Sequence, residues 1–151
     1  MNFGFSLAGL ILLVMLFVPN ILWSKCPPDD YENYSKNENK ILLTLERIGQ
    51  VLIVPLSLFC GVDFSFDIIL VITFLLMVIY ELYWIGYFRS PKTMHDMYGS
   101  FLHIPLPGAT LPVVSFFLLG ICANNIFLVI SSIILGIGHI GIHFSHMQEI
   151  S

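Results

Sequence analysis

The sequence predicts an all-α integral membrane bundle of five transmembrane helices. Its N-terminus is expected outside and its C-terminus in the cytoplasm, with a short interfacial amphipathic helix between the third and fourth spans. Three observations lead there. Of 151 residues, 57% are hydrophobic and only 11% charged, whereas soluble domains carry roughly 25% charged residues. Five apolar stretches approach the about 20 residues that carry a helix through a bilayer. After five spans the chain has no residues left for a separate soluble domain, so 1–151 reads as a single transmembrane domain. A net charge of −4 offers no basic surface, which excludes nucleic acid as a partner.

The spans are read at about 3–23, 41–60, 66–88, 104–123 and 126–147. In hydrocarbon each backbone amide must be satisfied within its own segment, so each is expected to be a helix. The first is expected to be retained and not cleaved as a signal peptide: Met1, Asn2 and Phe3 supply no positive charge, and Trp23 and Lys25 stand where a cleavage site needs small residues. Before the second, Ser35-Lys36-Asn37-Glu38 has the form of a capping box. After the third, Thr93-Met94-His95-Asp96 has a related form. There Met94, Met97, Tyr98, Phe101 and Leu102 recur at helical spacing, which predicts a surface helix over 93–103. Pro105, Pro107 and Pro112 crowd the start of the fourth span. Proline is tolerated in a first turn, so the helix is expected to begin near Pro107, with a re-entrant loop as the alternative.

Orientation follows from the cations. Five spans put Lys25, Lys36, Lys40, Arg47, Arg89 and Lys92 on one side, and the positive-inside rule makes that side cytoplasmic and the location the cell (plasma) membrane. The other side keeps tight turns at Gly61 to Ser65 and at Asn124-Asn125, with Asp63 and Asp67 as its charges. Trp23, Tyr80, Tyr83, Trp84 and Tyr87 fall where an aromatic belt is expected. Cys60 and Cys122 lie near the outer face, as a disulfide in an oxidising compartment or as buried free thiols.

The costly side chains gather in the cytoplasmic half. His139, His143 and His146, spaced four and three apart, share a helical stripe with Ser132 and Gly136. Glu81 sits near the cytoplasmic end of the third span, and Glu46, Arg47 and Gln50 near the start of the second. Ionisable groups within spans usually face the bundle interior and mark a functional site, so a cytoplasm-facing polar cavity is expected, its mouth partly covered by 93–103.

Glu81, His139 and His143 are the candidates for acid–base chemistry, or for ligands of a divalent transition metal, zinc or iron. The zincin pattern is not met, because Ile140 stands where it requires Glu. Glu46, Arg47, Gln50 and Arg89 are the candidates for the head group of an amphipathic, lipid-like substrate. His95, His103 and His146 are peripheral candidates. The competing structural readings are helix-to-helix hydrogen bonding by the histidines, an ion pair of Glu81 with Arg47 or Arg89, one of Glu46 with Arg47, and a surface pair of His95 with Asp96.

Three functions remain open: a membrane enzyme or binding protein for a lipid-like substrate; a small proton- or ion-coupled transporter, which would act as a homo-oligomer because five helices do not divide into two equal repeats; and a non-catalytic subunit or assembly factor. No C-x-x-C, Gly-rich phosphate loop or G-x-S-x-G elbow is present. The strings Pro19-Asn20-Ile21-Leu22-Trp23, Leu45-Glu46-Arg47-Ile48-Gly49 and Gly138-His139-Ile140-Gly141-Ile142-His143 together resemble small multi-pass bacterial membrane proteins of unassigned function. That resemblance implies a membrane bundle over most of the chain and brings no catalytic residues.

Overall fold

The computed structural model describes residues 4–62 and 67–150. They form seven helices: α1 (Leu7–Trp23), α2 (Tyr31–Ser35), α3 (Lys40–Leu58), α4 (Ile68–Arg89), α5 (Met94–Tyr98), α6 (Pro107–Cys122) and α7 (Ile126–Glu149). The five long ones coincide with the five apolar segments. Of these α3, α4 and α7 are long and apolar enough to cross a membrane, while α1 and α6 are shorter apolar helices. Asp63 and the rest of the expected 61–65 turn beyond Val62 lie outside the described residues.

Short polar residues start the helices. Ser6 caps α1 by accepting from the Gly9 amide at 3.1 Å, Asp67 caps α4 through Ile69, and Asn125 caps α7 through Leu128. The expected Ser35–Glu38 capping box does not form. Ser35 already belongs to α2, where its hydroxyl donates to the Glu32 carbonyl, and Glu38 is drawn to His146 at 3.0 Å. Asn39 caps α3 instead, accepting from Ile41 and Leu42. The Thr93–Asp96 box does form, and its bonds hold the Asp96 carboxyl below the usual carboxylate value. Pro107 occupies the first turn of α6. From there α6 runs as one continuous helix alongside α4, from Gly108 beside Tyr83 to Cys122 beside Asp67.

Packing joins α3 to α7, α7 to α6 and α6 to α4, and α1 closes the ring by touching α3 and α4. The Ser6 amide meets the Leu58 carbonyl at one end; Trp23, Tyr31, Met97 and His146 gather at the other. The α3/α7 contact is the most extensive. A Cβ on Gly49 would stand 2.6 Å from the Leu135 backbone, and one on Gly138 would collide with the backbone of Leu42 and Glu46. Small residues at such crossings let membrane helices approach until their backbones touch. Apolar side chains cover the outside of the ring: Val14, Ile21, Val51, Leu75, Ile85 and Ile137 are each exposed. A water-soluble monomer rarely shows so continuous an apolar surface.

Two further expectations are corrected. Tyr80, Tyr83, Trp84 and Tyr87 do not form an outward-facing belt; they are buried on one face of α4, in edge-to-face contact at ring separations of 5.4–6.0 Å. The predicted surface helix over 93–103 is a single turn, α5, whose Met94, Met97 and Tyr98 are buried against the bundle. Tyr83 donates to the Met97 carbonyl, and the Trp23 indole N–H lies 3.2 Å from the Met97 sulfur. After Gly99 the chain turns back through Leu102 and His103, at φ 52° and 64°, with Phe101 and Ile104 bonded to each other. That left-handed turn cannot continue a helix. All three cysteines are free thiols.

Candidate functional site

Two adjoining cavities lie inside the ring. One, of about 210 Å³, is polar, and Asn20, Glu46, Arg47, Gln50, His139 and His143 are among its lining residues. It lies at the end of the bundle where α2 and α5 pack. The second, of about 240 Å³, is apolar, with Leu16, Phe17, Ile53, Val54, Pro112 and Phe116 in its walls. Asn20, Gln50, Gly108 and His139 belong to both linings, so the chambers adjoin at these residues. Together they reach the range of about 300–1,000 Å³ typical of small-molecule sites.

The centre of the polar chamber is a carboxylate–imidazole pair. His139 Nδ1 lies 2.6 Å from Glu46 Oε1, and the Gln50 amide donates to the same oxygen at 3.2 Å. The contact bridges α3 and α7 at the Gly138 crossing, so that glycine sets the distance. A carboxylate on one ring nitrogen fixes the tautomer and leaves the other nitrogen as an acceptor. The pair is thereby equipped to take a proton from a bound hydroxyl or water. The His143 ring lies 4.3 Å from that of His139 and 5.2 Å from Tyr98.

A second pair closes the chamber from outside. His146 Nε2 meets Glu38 Oε1 at 3.0 Å, and the ring is enclosed by Tyr31, Tyr34 and Tyr98. Tyr31 donates a long hydrogen bond, 3.5 Å, to the same Glu38 oxygen. Burial and the nearby Glu38 push its phenol up to about 12, so it stays neutral at physiological pH. Burial likewise raises Tyr98.

Of the expected site residues, Glu46, Arg47, Gln50, His139 and His143 are brought together. Glu81 is not. It stands on α4 outside both linings, with one carboxylate oxygen buried and unpartnered, because the α4 face turned inward carries Tyr80, Tyr83 and Trp84. The expected metal centre of Glu81, His139 and His143 therefore does not assemble. Among the described residues no group of three or more His, Cys, Asp or Glu side chains is placed to hold a metal ion, so zinc or iron has no site supported by this geometry. Glu46 pairs with His139 and not with Arg47, and the ion pairs among the described residues all involve histidine. Arg89 is exposed at the end of α4, away from the cavity. His95 and His103 are exposed as well, whereas His146 is buried.

Asn20, Trp23, Tyr31, Glu38, Trp84 and Met97 also line the polar chamber but were not among the expected site residues. Asn20 carried a signal, since an amide inside an apolar span is costly unless partnered; it donates to the Tyr80 hydroxyl at 3.1 Å and ties α1 to α4.

These features define a helical bundle with two adjoining cavities between its helices and a Glu–His pair where they adjoin. Comparison with models of protein families, with curated proteins and with solved structures finds no match for this chain.

Proposed function

We propose that this chain is a five-span membrane protein that binds an amphipathic, lipid-like molecule from the cytoplasmic side of the cell membrane. The polar group would lie beside Glu46, Arg47 and His139, and the hydrocarbon tail in the apolar chamber. One observation carries this reading: a polar and an apolar chamber adjoin at Asn20, Gln50, Gly108 and His139, which is the division an amphiphile requires. The Glu46–His139 pair would supply general-base chemistry if the bound molecule is turned over. The transporter reading has less support. The buried hydroxyls of Ser57, Thr73, Ser115, Ser131 and Ser132 each donate to a carbonyl of their own helix, so they do not present a polar path beyond the cavity.

Native mass spectrometry of protein released from membranes tests the binding. The wild type is expected to carry an amphiphile of lipid mass, and Val54→Trp, which fills the apolar chamber, to carry at least tenfold less. Equal loading of the two proteins, or none on the wild type, would overturn the reading. Topology is checked separately, with single cysteines at Asn124 and Gln148 in a chain whose own three cysteines are replaced. Impermeant maleimide applied outside intact cells is expected to label position 124 and to leave 148 unlabelled. Labelling of both would exclude five spans.

A further inference from the structure

We infer that the polar chamber selects amphiphiles with a cationic ammonium head group, a conclusion that deepens the proposed function and rests on it. Three observations converge. First, the chamber is lined by two carboxylates, Glu38 and Glu46, against one guanidinium, Arg47. Second, both carboxylates use Oε1 for their protein bonds: Glu46 to His139 and Gln50, Glu38 to His146 and Tyr31. Among the described residues Oε2 of each makes no hydrogen bond, leaving two acceptor oxygens for a cation.

Third, the same chamber holds Trp23, Tyr31 and Trp84 in its wall. Trp23 and Tyr31 stand edge to face at 5.0 Å with their planes 88° apart. Aromatic walls joined to carboxylates are the arrangement that recognises ammonium groups, because the cation is attracted by ring faces and carboxylates alike. An anionic head would gain Arg47 but meet two carboxylates in the same chamber. A neutral sugar head would forgo the aromatic attraction.

The two tryptophans of the chain are Trp23 and Trp84, so intrinsic fluorescence reports on this chamber directly. Wild-type protein in lipid nanodiscs is titrated with octyltrimethylammonium, octyl glucoside and octanoate, which share one chain length and differ in the head. Octyltrimethylammonium is expected to give a saturable change at a midpoint about tenfold below the other two. Glu38→Gln, and separately Trp23→Leu read through Trp84, are expected to bring that ratio close to one. The comparison of probes on the wild type needs no variant to fold. Equal midpoints for the three probes, or tightest binding of octanoate, would overturn the head-group inference and leave the amphiphile cavity standing. Absence of any saturable response would overturn both.

Discussion

Gly138→Val is expected to abolish amphiphile binding and to destabilise the bundle more than any single side-chain deletion in the cavity. A Cβ at this position would stand 2.6 Å from the Leu42 carbonyl oxygen and 2.8 Å from the Glu46 Cα. These are backbone atoms of α3, which cannot rotate away as a side chain would. The helices must therefore separate along the most extensive contact in the fold. Overpacking of this kind costs about 1–3 kcal/mol, and valine, with two further methyls, should reach the upper end. The separation also opens the 2.6 Å contact between His139 and Glu46, so the site fails together with the packing. Gly86→Ala is the control. Its added Cβ would meet nothing within 4 Å, and alanine favours a helix over glycine by about 1 kcal/mol, so wild-type or slightly higher stability is expected. Thermal unfolding in detergent, paired with the tryptophan titration, reads both effects. A Gly138→Val protein that melts and binds like the wild type would show that the α3/α7 contact does not set the site.

The helices were legible because each apolar run must satisfy its own amides, and all five long helices begin and end within four residues of the expected bounds. The Glu46–His139 pair was half legible. Spacing placed His139 on an inward stripe and Glu46 near the matching end of another helix, but only the Gly138 crossing decided which two side chains would touch. Glu81 was misplaced for the opposite reason. Hydropathy marks a charge within a span without saying which face it takes, and here the inward face of α4 is occupied by aromatic rings. That column was itself encoded in the spacing of Tyr80, Tyr83, Trp84 and Tyr87, three and four apart as on one helix face. Belt and column differ by rotation about the helix axis, which depends on neighbouring helices. The contribution of residues 24–39 was the least accessible. Tyr31 and Glu38 reach the cavity across long sequence separations, through a connection whose path no local pattern specifies.

His146→Ala is expected to loosen that connection while leaving the inner chamber assembled. The His146 side chain is 2% exposed and is the point where α7 holds residues 31–38, through Glu38 at 3.0 Å and the rings of Tyr31 and Tyr34. Its other nitrogen faces Glu149 at 3.7 Å, beyond hydrogen-bond distance, so Glu38 is the stronger partner. Truncation removes the aromatic packing and leaves Glu38, 14% exposed, without its imidazole. Breaking a fully buried pair costs about 3–5 kcal/mol; the partial access of Glu38 to water reduces the expected loss to about 2 kcal/mol. Such a loss raises the open population of the segment by a factor of roughly 30. Cleavage by trypsin after Lys36 should accelerate by at least tenfold in sealed vesicles with that face outward. His143→Ala should behave in the reverse way. His143 is half-buried and its contacts are with the rings of His139 and Tyr98, so its loss should weaken amphiphile binding and leave cleavage after Lys36 within about twofold of wild type. Equal protease sensitivity of the two variants would mean that residues 31–38 are held by something other than the Glu38–His146 contact. The gradient from structural to ligand-facing histidines would then have to be redrawn along α7.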